Sequence, residues 1–280
     1  MVLRSTILRN TGLRSIAVAG LGFLVGSSMP AQLAAYPGGT PDFQTDVMPF
    51  CAACHSSTNE TDLEGAPGDR AVKEVAAQKH LAGIMAGTKT YAELAAPDRA
   101  KLVDLIKAVD AASTIELEFP PSVAPGETFQ VTARIAGGSG PAVGVGLVDR
   151  AHRWWAKPAS TLGWAVVGSP TIIGPDGGPQ SEWLNRRPER KGRNVTFVNV
   201  TDWKSNAEAQ QWASAKVIFT LRAPEKAGEY PLVGFYLYGT EKATTLGTKP
   251  NPMYGDQPLG GYTGKSGRVK FTESHVITVK

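Results

Sequence analysis

Cysteine is scarce in this chain, 2 among 280 residues, which excludes a disulfide-stapled scaffold. Net charge is scarce too: the formal +4 is too small to argue for nucleic acid, and no nucleic-acid partner is expected. No uncharged apolar run reaches the roughly 20 residues that a membrane-spanning helix needs. No internal repeat and no low-complexity tract is present. Nor does a Ser-His-Asp order, a phosphate loop, a metalloprotease helix or a paired-carboxylate cleft stand out, so the common hydrolytic and phosphate-binding classes find no support.

What is there begins with an address. Arg4, Arg9 and Arg14 precede the apolar stretch from Ile16 to Val25, and small residues with Pro30 follow. A basic start, a short apolar centre and a small-residue exit are the parts of a secretory signal. Residues 1–35 are therefore expected to send the chain to the periplasm or the cell surface of a bacterium. Cleavage would fall near Ala34 or Ala35; an uncleaved N-terminus would instead tether the protein to a membrane. Charge is unevenly spread. Residues 36–113 hold 7 Lys and Arg against 11 Asp and Glu, and residues 114–280 hold 19 against 14. An acidic N-terminal region is followed by a basic C-terminal one.

The hydrophobic pattern changes at the same place. Asp46–His55, Arg70–Ala86 and Asp98–Ala111 carry Ala, Leu, Val and Lys at helical spacing. The last is the clearest, with Pro97 and Asp98 at its start and Leu102, Leu105, Ile106 and Val109 in one stripe. From Thr114 the period is two: Ile115, Leu117 and Phe119 alternate with glutamates, as do Phe129, Val131, Ala133 and Ile135 with polar residues. Val217, Phe219 and Leu221, then Tyr230–Tyr238 and His275–Val279, read as further strands. Only Ala207–Trp212 offers another helical window. About eight short strands between turn signals, with all six tryptophans among them, predict a β-sandwich.

The chemistry sits in Cys51-Ala52-Ala53-Cys54-His55. C-x-x-C-H is the attachment sequence of a c-type haem. Two thiols one helical turn apart each bond a vinyl group, and the next imidazole reaches the iron from the same side. A thioredoxin-like thiol pair would need a βαβ context, and a zinc site would need a second pair of ligands; neither is visible. One covalent haem c is expected, with His55 as the proximal iron ligand.

The segment Asp42–Phe50 leading into CAACH, and the closing segment Asp98–Lys107, resemble the first and last helices of small class I cytochromes c. The resemblance covers about residues 40–112 and implies that the two helices cross, with Phe43 packed between them. It also implies a distal ligand in the loop before the last helix. Met85 matches that position, although a following proline is missing, and His80 is the alternative. A thioether would raise the reduction potential, bis-histidine would lower it, and an open site would admit ligands.

Further along, Leu221–Pro224 and Ala227–Leu232 resemble the E–F corner of immunoglobulin-like domains, with Gly228-x-Tyr230 at the tyrosine corner. Val123–Phe129 resembles the opening of bacterial Ig-like and Reeler-like sandwiches. Three surface features are candidates for contacts. His152-Arg153-Trp154-Trp155 would either meet the N-terminal region or form a loop anchored by its tryptophans. Arg186–Arg193 would steer an acidic partner or remain solvated, and Tyr236, Tyr238 and Tyr254 would offer a glycan platform.

The expected architecture is thus multidomain: a signal (1–35), a small all-α cytochrome c domain (36–113) and an all-β Ig-like sandwich (114–280). The expected function is single-electron transfer to an unidentified redox partner protein, with the sandwich as docking domain. A haem enzyme or gas or redox sensor with a labile sixth ligand, and a surface adhesion protein, are the alternatives.

Overall fold

Alternation of apolar and polar residues builds two packed sheets. They are seen in a computed structural model that describes residues 55–66, 75–88, 91–185, 195–240, 248–249, 257–258 and 267–280. The chain enters through strand β1 (His55–Ser57), a π-helical turn (Ala77–Leu81) and the single-turn helix α1 (Ala82–Met85), then helix α2 (Ala96–Ala112). Strands β2 (Thr114–Glu118), β3 (Ser122–Val123), β4 (Thr128–Ala136), β5 (Ser139–Val148), β6 (Ala165–Val166), β7 (Thr171–Ile173) and β8 (Pro179–Gln180) follow. After helix α3 (Glu182–Asn185) come β9 (Phe197–Val200), β10 (Ser214–Arg222), β11 (Gly228–Gly239), β12 (Thr248–Lys249), β13 (Gln257–Pro258), β14 (Gly267–Phe271) and β15 (His275–Val279).

One sheet is centred on β10, with β4 and then β2 along one edge and β6 and β7 along the other, β8 outermost. Its inward residues are the alternating ones read from the sequence: Phe129, Val131, Ala133, Ile135, Val217, Phe219 and Leu221 are all buried. The second sheet is centred on β11. On one side β11 pairs with β5, which pairs with β9; on the other it pairs with β15 near its start and with β14 near its end. Here Leu232–Tyr238 is buried without alternation, because both faces of this sheet are covered. Gly234 lies so close to Ile115 and Leu117 of the opposite sheet that a Cβ would come within 3.1 Å of them. On the other face Phe235 stacks on Phe197, which Trp183 meets edge-on. The tyrosine corner is present: the Tyr230 hydroxyl donates to the Lys226 carbonyl at 2.8 Å. The chain therefore contains a β-sandwich of Ig-like type.

The small all-α cytochrome domain is not what the described residues form. The place of His55 in a sheet overturns it. His55 does not end a helix; His55–Ser57 adds to β14 as a parallel edge strand, His55 opposite Gly267. Of the segment expected as one helix from Arg70 to Ala86, residues 70–74 lie outside the described residues, Val75 bridges to Ser57, and Ala77–Met85 is helical as expected, wound as a π-helix to Leu81 and as an α-helix after it. Among the described residues α2 is the single long helix, and its burial partners are not only helical. Leu102, Val103 and Ile106 pack with Ile84, Tyr91 and Leu94, while Val109 joins the sandwich core. Helical spacing in the sequence specified which residues turn inward, and only the last turn of the stripe reaches the sandwich.

The end of α2 shows how it is held. Lys270 on β14 donates to the carbonyls of Asp110 and Ser113, placing a cation on carbonyls that the helix leaves unpaired. Gly137 (φ +73°) backs onto the same turn; a Cβ there would come within 2.2 Å of the Ala112 carbonyl oxygen. Its own carbonyl accepts from Trp203 Nε1 and the Tyr236 hydroxyl. Ala207–Trp212 is a turn closed by a bridge between Asn206 and Gln211, with Gln210 at φ +53°.

Candidate functional site

The described end of the C-x-x-C-H motif is His55, and the sheet edge decides how its ring sits. Cys51 and Cys54 lie outside the described residues. Strand β1 runs parallel to β14 with His55 opposite Gly267 and Ser56 opposite Arg268. Gly267 is required by contact: a Cβ at this residue would stand 2.3 Å from His55 Nδ1 and 2.4 Å from its Cε1. The imidazole thus lies against the backbone of β14. Its Nδ1 is 3.0 Å from the Arg268 carbonyl oxygen. A carbonyl only accepts, so Nδ1 carries the proton and the lone pair is on Nε2. Burial, aided by the positive charges of Arg153, Arg268 and Lys79, lowers the His55 pKa to about 4 against the opposing backbone hydrogen bond. The ring is neutral at neutral pH.

This arrangement fits the group that the motif implies. Iron-binding histidines commonly donate their second ring N–H to a carbonyl or carboxylate, which fixes tautomer and orientation. His55 does so, with Nε2 as the free donor atom. Among the described residues no cluster of three His, Cys, Asp or Glu could hold a metal ion unaided.

Arg268 links His55 to the rest of the site. Its side chain is fully buried. Nε donates to Asp110 Oδ2 at 3.1 Å and Nη1 to His80 Nδ1 at 3.0 Å. Asp110 also accepts the Tyr238 hydroxyl at 3.0 Å, and His80 Nε2 stands 2.8 Å from the Tyr91 hydroxyl. Because His80 Nδ1 accepts from a guanidinium, its Nε2 carries the proton and donates to Tyr91. Burial raises the Tyr236 and Tyr238 hydroxyls well above their ordinary pKa, Asp110 adding to the effect at Tyr238.

The two candidate distal ligands are placed differently. His80 is buried in the π turn with both ring nitrogens engaged. Met85 ends α1 with half its surface exposed (51%).

The polar–aromatic cluster after β5 does meet the N-terminal region. His152 Nε2 donates to the Glu64 carbonyl at 3.0 Å, the Arg153 amide donates to the Asp62 carbonyl, and the His152 ring stacks on Trp155. Arg153 is fully buried, with its guanidinium over the Trp154 ring. Asp62 is buried beside Ser57, whose hydroxyl donates to it. Burial raises the Asp62 pKa, the Ser57 bond opposing. The Arg186–Arg193 run and Tyr254 lie outside the described residues. Tyr236 and Tyr238 are buried and serve the core, so they offer no glycan platform.

Sequence reasoning missed Arg268 as a site residue. Arg153 was legible as a member of an aromatic cluster. Arg268 gave no signal, because nothing in the local pattern of Gly267–Phe271 marks a cation that turns inward.

No family model matches the chain, and neither does any curated protein. Among solved structures, a CARDB domain from Pyrococcus furiosus in complex with di-metal ions is similar at 12% identity. The match covers 60% of this chain and 87% of that one, with a TM-score of 0.24. That likeness is too low to bear on function, and the sandwich assignment rests on the strand pairing above.

Proposed function

We propose that this chain is an exported carrier of one covalently attached haem that passes single electrons to a redox partner protein. Cys51 and Cys54 form the thioether links and His55 binds the iron. The observation that carries this reading is the His55 ring itself, in the tautomer an iron ligand needs, in a strand that directly follows C-x-x-C. When bound, the haem supplies a one-electron centre whose potential its axial ligands tune. The chain's residues do the rest. Gly267 leaves the space in which the imidazole lies, and the Arg268 carbonyl fixes its proton on Nδ1. Met85 is the assigned distal ligand, since its exposed helix end has no polar bonds to surrender. His80 would have to release Arg268 and Tyr91 first.

A second reading has one observation in its favour. With His80 engaged and Met85 turned to solvent, the sixth position is a candidate for exchange, which suits a gas or redox sensor or a haem enzyme. In either reading the signal at residues 1–35 exports the chain, and an uncleaved N-terminus would hold it at the membrane. The sandwich then serves both as scaffold for His55 and as surface for the partner.

Expression in a bacterium that attaches haem in the periplasm tests the proposal. The exported wild type should show a c-type pyridine haemochrome and a haem-stained band that survives denaturation. Cys51→Ser with Cys54→Ser should lose both. Absence of haem from correctly exported wild-type protein would overturn it. Reduced spectra unchanged by CO favour electron transfer, while rapid CO binding favours the second reading.

A further inference from the structure

Strand β1 is three residues long and lies on a sheet edge. So short an edge strand has few ladder bonds, and such segments open before the core does. The seat of the His55 ring therefore depends on what else holds the chain beside it. Just after β1 the chain closes on itself: the Ser57 hydroxyl donates to the buried Asp62 carboxyl group, and the Asn59 amide donates to Ser57 Oγ at 3.2 Å. Asp62 and Glu64 then present their carbonyls to the loop that follows β5. The Arg153 amide donates to the Asp62 carbonyl at 2.8 Å, and His152 Nε2 to the Glu64 carbonyl at 3.0 Å. The His152 ring is locked for this contact from its other side. Its Nδ1 accepts the Trp154 and Trp155 amides, both at 3.1 Å, so the proton stays on Nε2, facing Glu64. The buried ring stacks on Trp155 with centroids 4.3 Å apart. Gly65 (φ +77°) closes the contact, lying so near the Trp155 ring that a Cβ would come within 3.2 Å of it.

We propose that His152 is a positioning residue for His55: it clasps the chain that follows β1 onto the sandwich and so keeps the iron-binding ring seated against Gly267. The inference rests on the haem reading above for what the ring binds, and on the described contacts alone for how the ring is held. The path between the two histidines is contiguous, from the Glu64 carbonyl through Asp62 and Ser57 to β1.

Hydrogen exchange of the haem-loaded chain, resolved by residue, tests the clasp. His152→Ala should speed exchange of the β1 amides about tenfold relative to those of β4 and β10, the factor that loss of one such bond gives. His152→Gln keeps a donor of similar reach toward the Glu64 carbonyl and should restore most of the protection. The EPR g values of the oxidised haem report the field of the axial imidazole; they should change in His152→Ala and return in His152→Gln. Equal acceleration in β1, β4 and β10, an unchanged β1, or no recovery in His152→Gln would overturn the assignment. Should His152→Ala fail to fold, wild type decides. The Arg153 amide, bonded to Asp62, and the amides of β1 should then share one opening free energy below that of β4 and β10, and unequal values for Arg153 and β1 would refute the coupling. A wild type without haem by pyridine haemochrome sinks the haem reading, whereas a β1 indifferent to His152 sinks this one.

Discussion

Gly267→Ala is the sharpest test of how the His55 ring is positioned. The added Cβ would lie 2.3 Å from Nδ1 and 2.4 Å from Cε1, well inside van der Waals contact at about 3.5 Å. The imidazole must therefore withdraw by about 1 Å or turn about χ1. Either movement stretches the 3.0 Å bond from Nδ1 to the Arg268 carbonyl beyond useful length. Losing that bond costs about 1 kcal/mol, and leaving its buried partner unsatisfied raises the loss to about 2–3 kcal/mol. Against this, alanine lowers the entropy of the unfolded chain by about 0.4–1 kcal/mol relative to glycine. The net expectation is a destabilisation of about 1–2 kcal/mol, or about 2–8 °C in Tm for a chain of this size.

The same clash is removed if the ring is removed. In a His55→Ala background Gly267→Ala should be neutral or slightly stabilising, so the pair should show a coupling of about 1–3 kcal/mol in a double-mutant cycle by urea denaturation. If Gly267→Ala destabilises equally with and without His55, the glycine serves the strand and not the ring, and the geometric argument fails. In loaded protein the variant should keep its thioether-bound haem while its absorption bands shift.

The remaining predictions concern the supports of the site. Burial raises the Asp62 pKa above its ordinary 3.8, so between 3.8 and the higher folded value the native state holds a proton that the unfolded state has released. Stability from this group is therefore greatest at the acid end and falls as pH rises through that interval; Asp62→Asn should flatten the slope, as read from urea midpoints at a series of pH values from about 3.5 to 7. Lys270→Met keeps the bulk but leaves the carbonyls of Asp110 and Ser113 without their cation, and should cost about 1–2 kcal/mol by chemical denaturation. Tyr230→Phe removes the bond to Lys226 at the corner, and should cost at most about 1 kcal/mol with an unchanged m-value.

The sandwich was readable because its signals are local. Alternation over Phe129–Ile135 and Val217–Leu221, and the glycine and tyrosine of the Gly228–Tyr230 corner, each follow from a few neighbouring residues, and the structure places all of them as expected. Helix α2 was readable for the same reason, with Pro97 and Asp98 opening it. The error lay in passing from a five-residue motif to a whole fold. C-x-x-C-H specifies attachment chemistry, and that chemistry asks nothing of the surrounding topology beyond one imidazole in reach. Pairing of His55 with Gly267 spans 212 positions of sequence, and three residues of Ser-rich strand carry no periodicity that could announce it. The basic surplus of residues 114–280 was likewise visible only as a sum. Charge counting treats cations as surface, yet Arg153 and Arg268 are fully buried, one against Trp154 and one against Asp110 and His80. Burying guanidinium groups is expensive unless they are paired, and a sum of charges cannot say which ones are. The sandwich belongs to the site because β14 supplies the space for the His55 ring, the carbonyl that orients it and the buried Arg268 beside it.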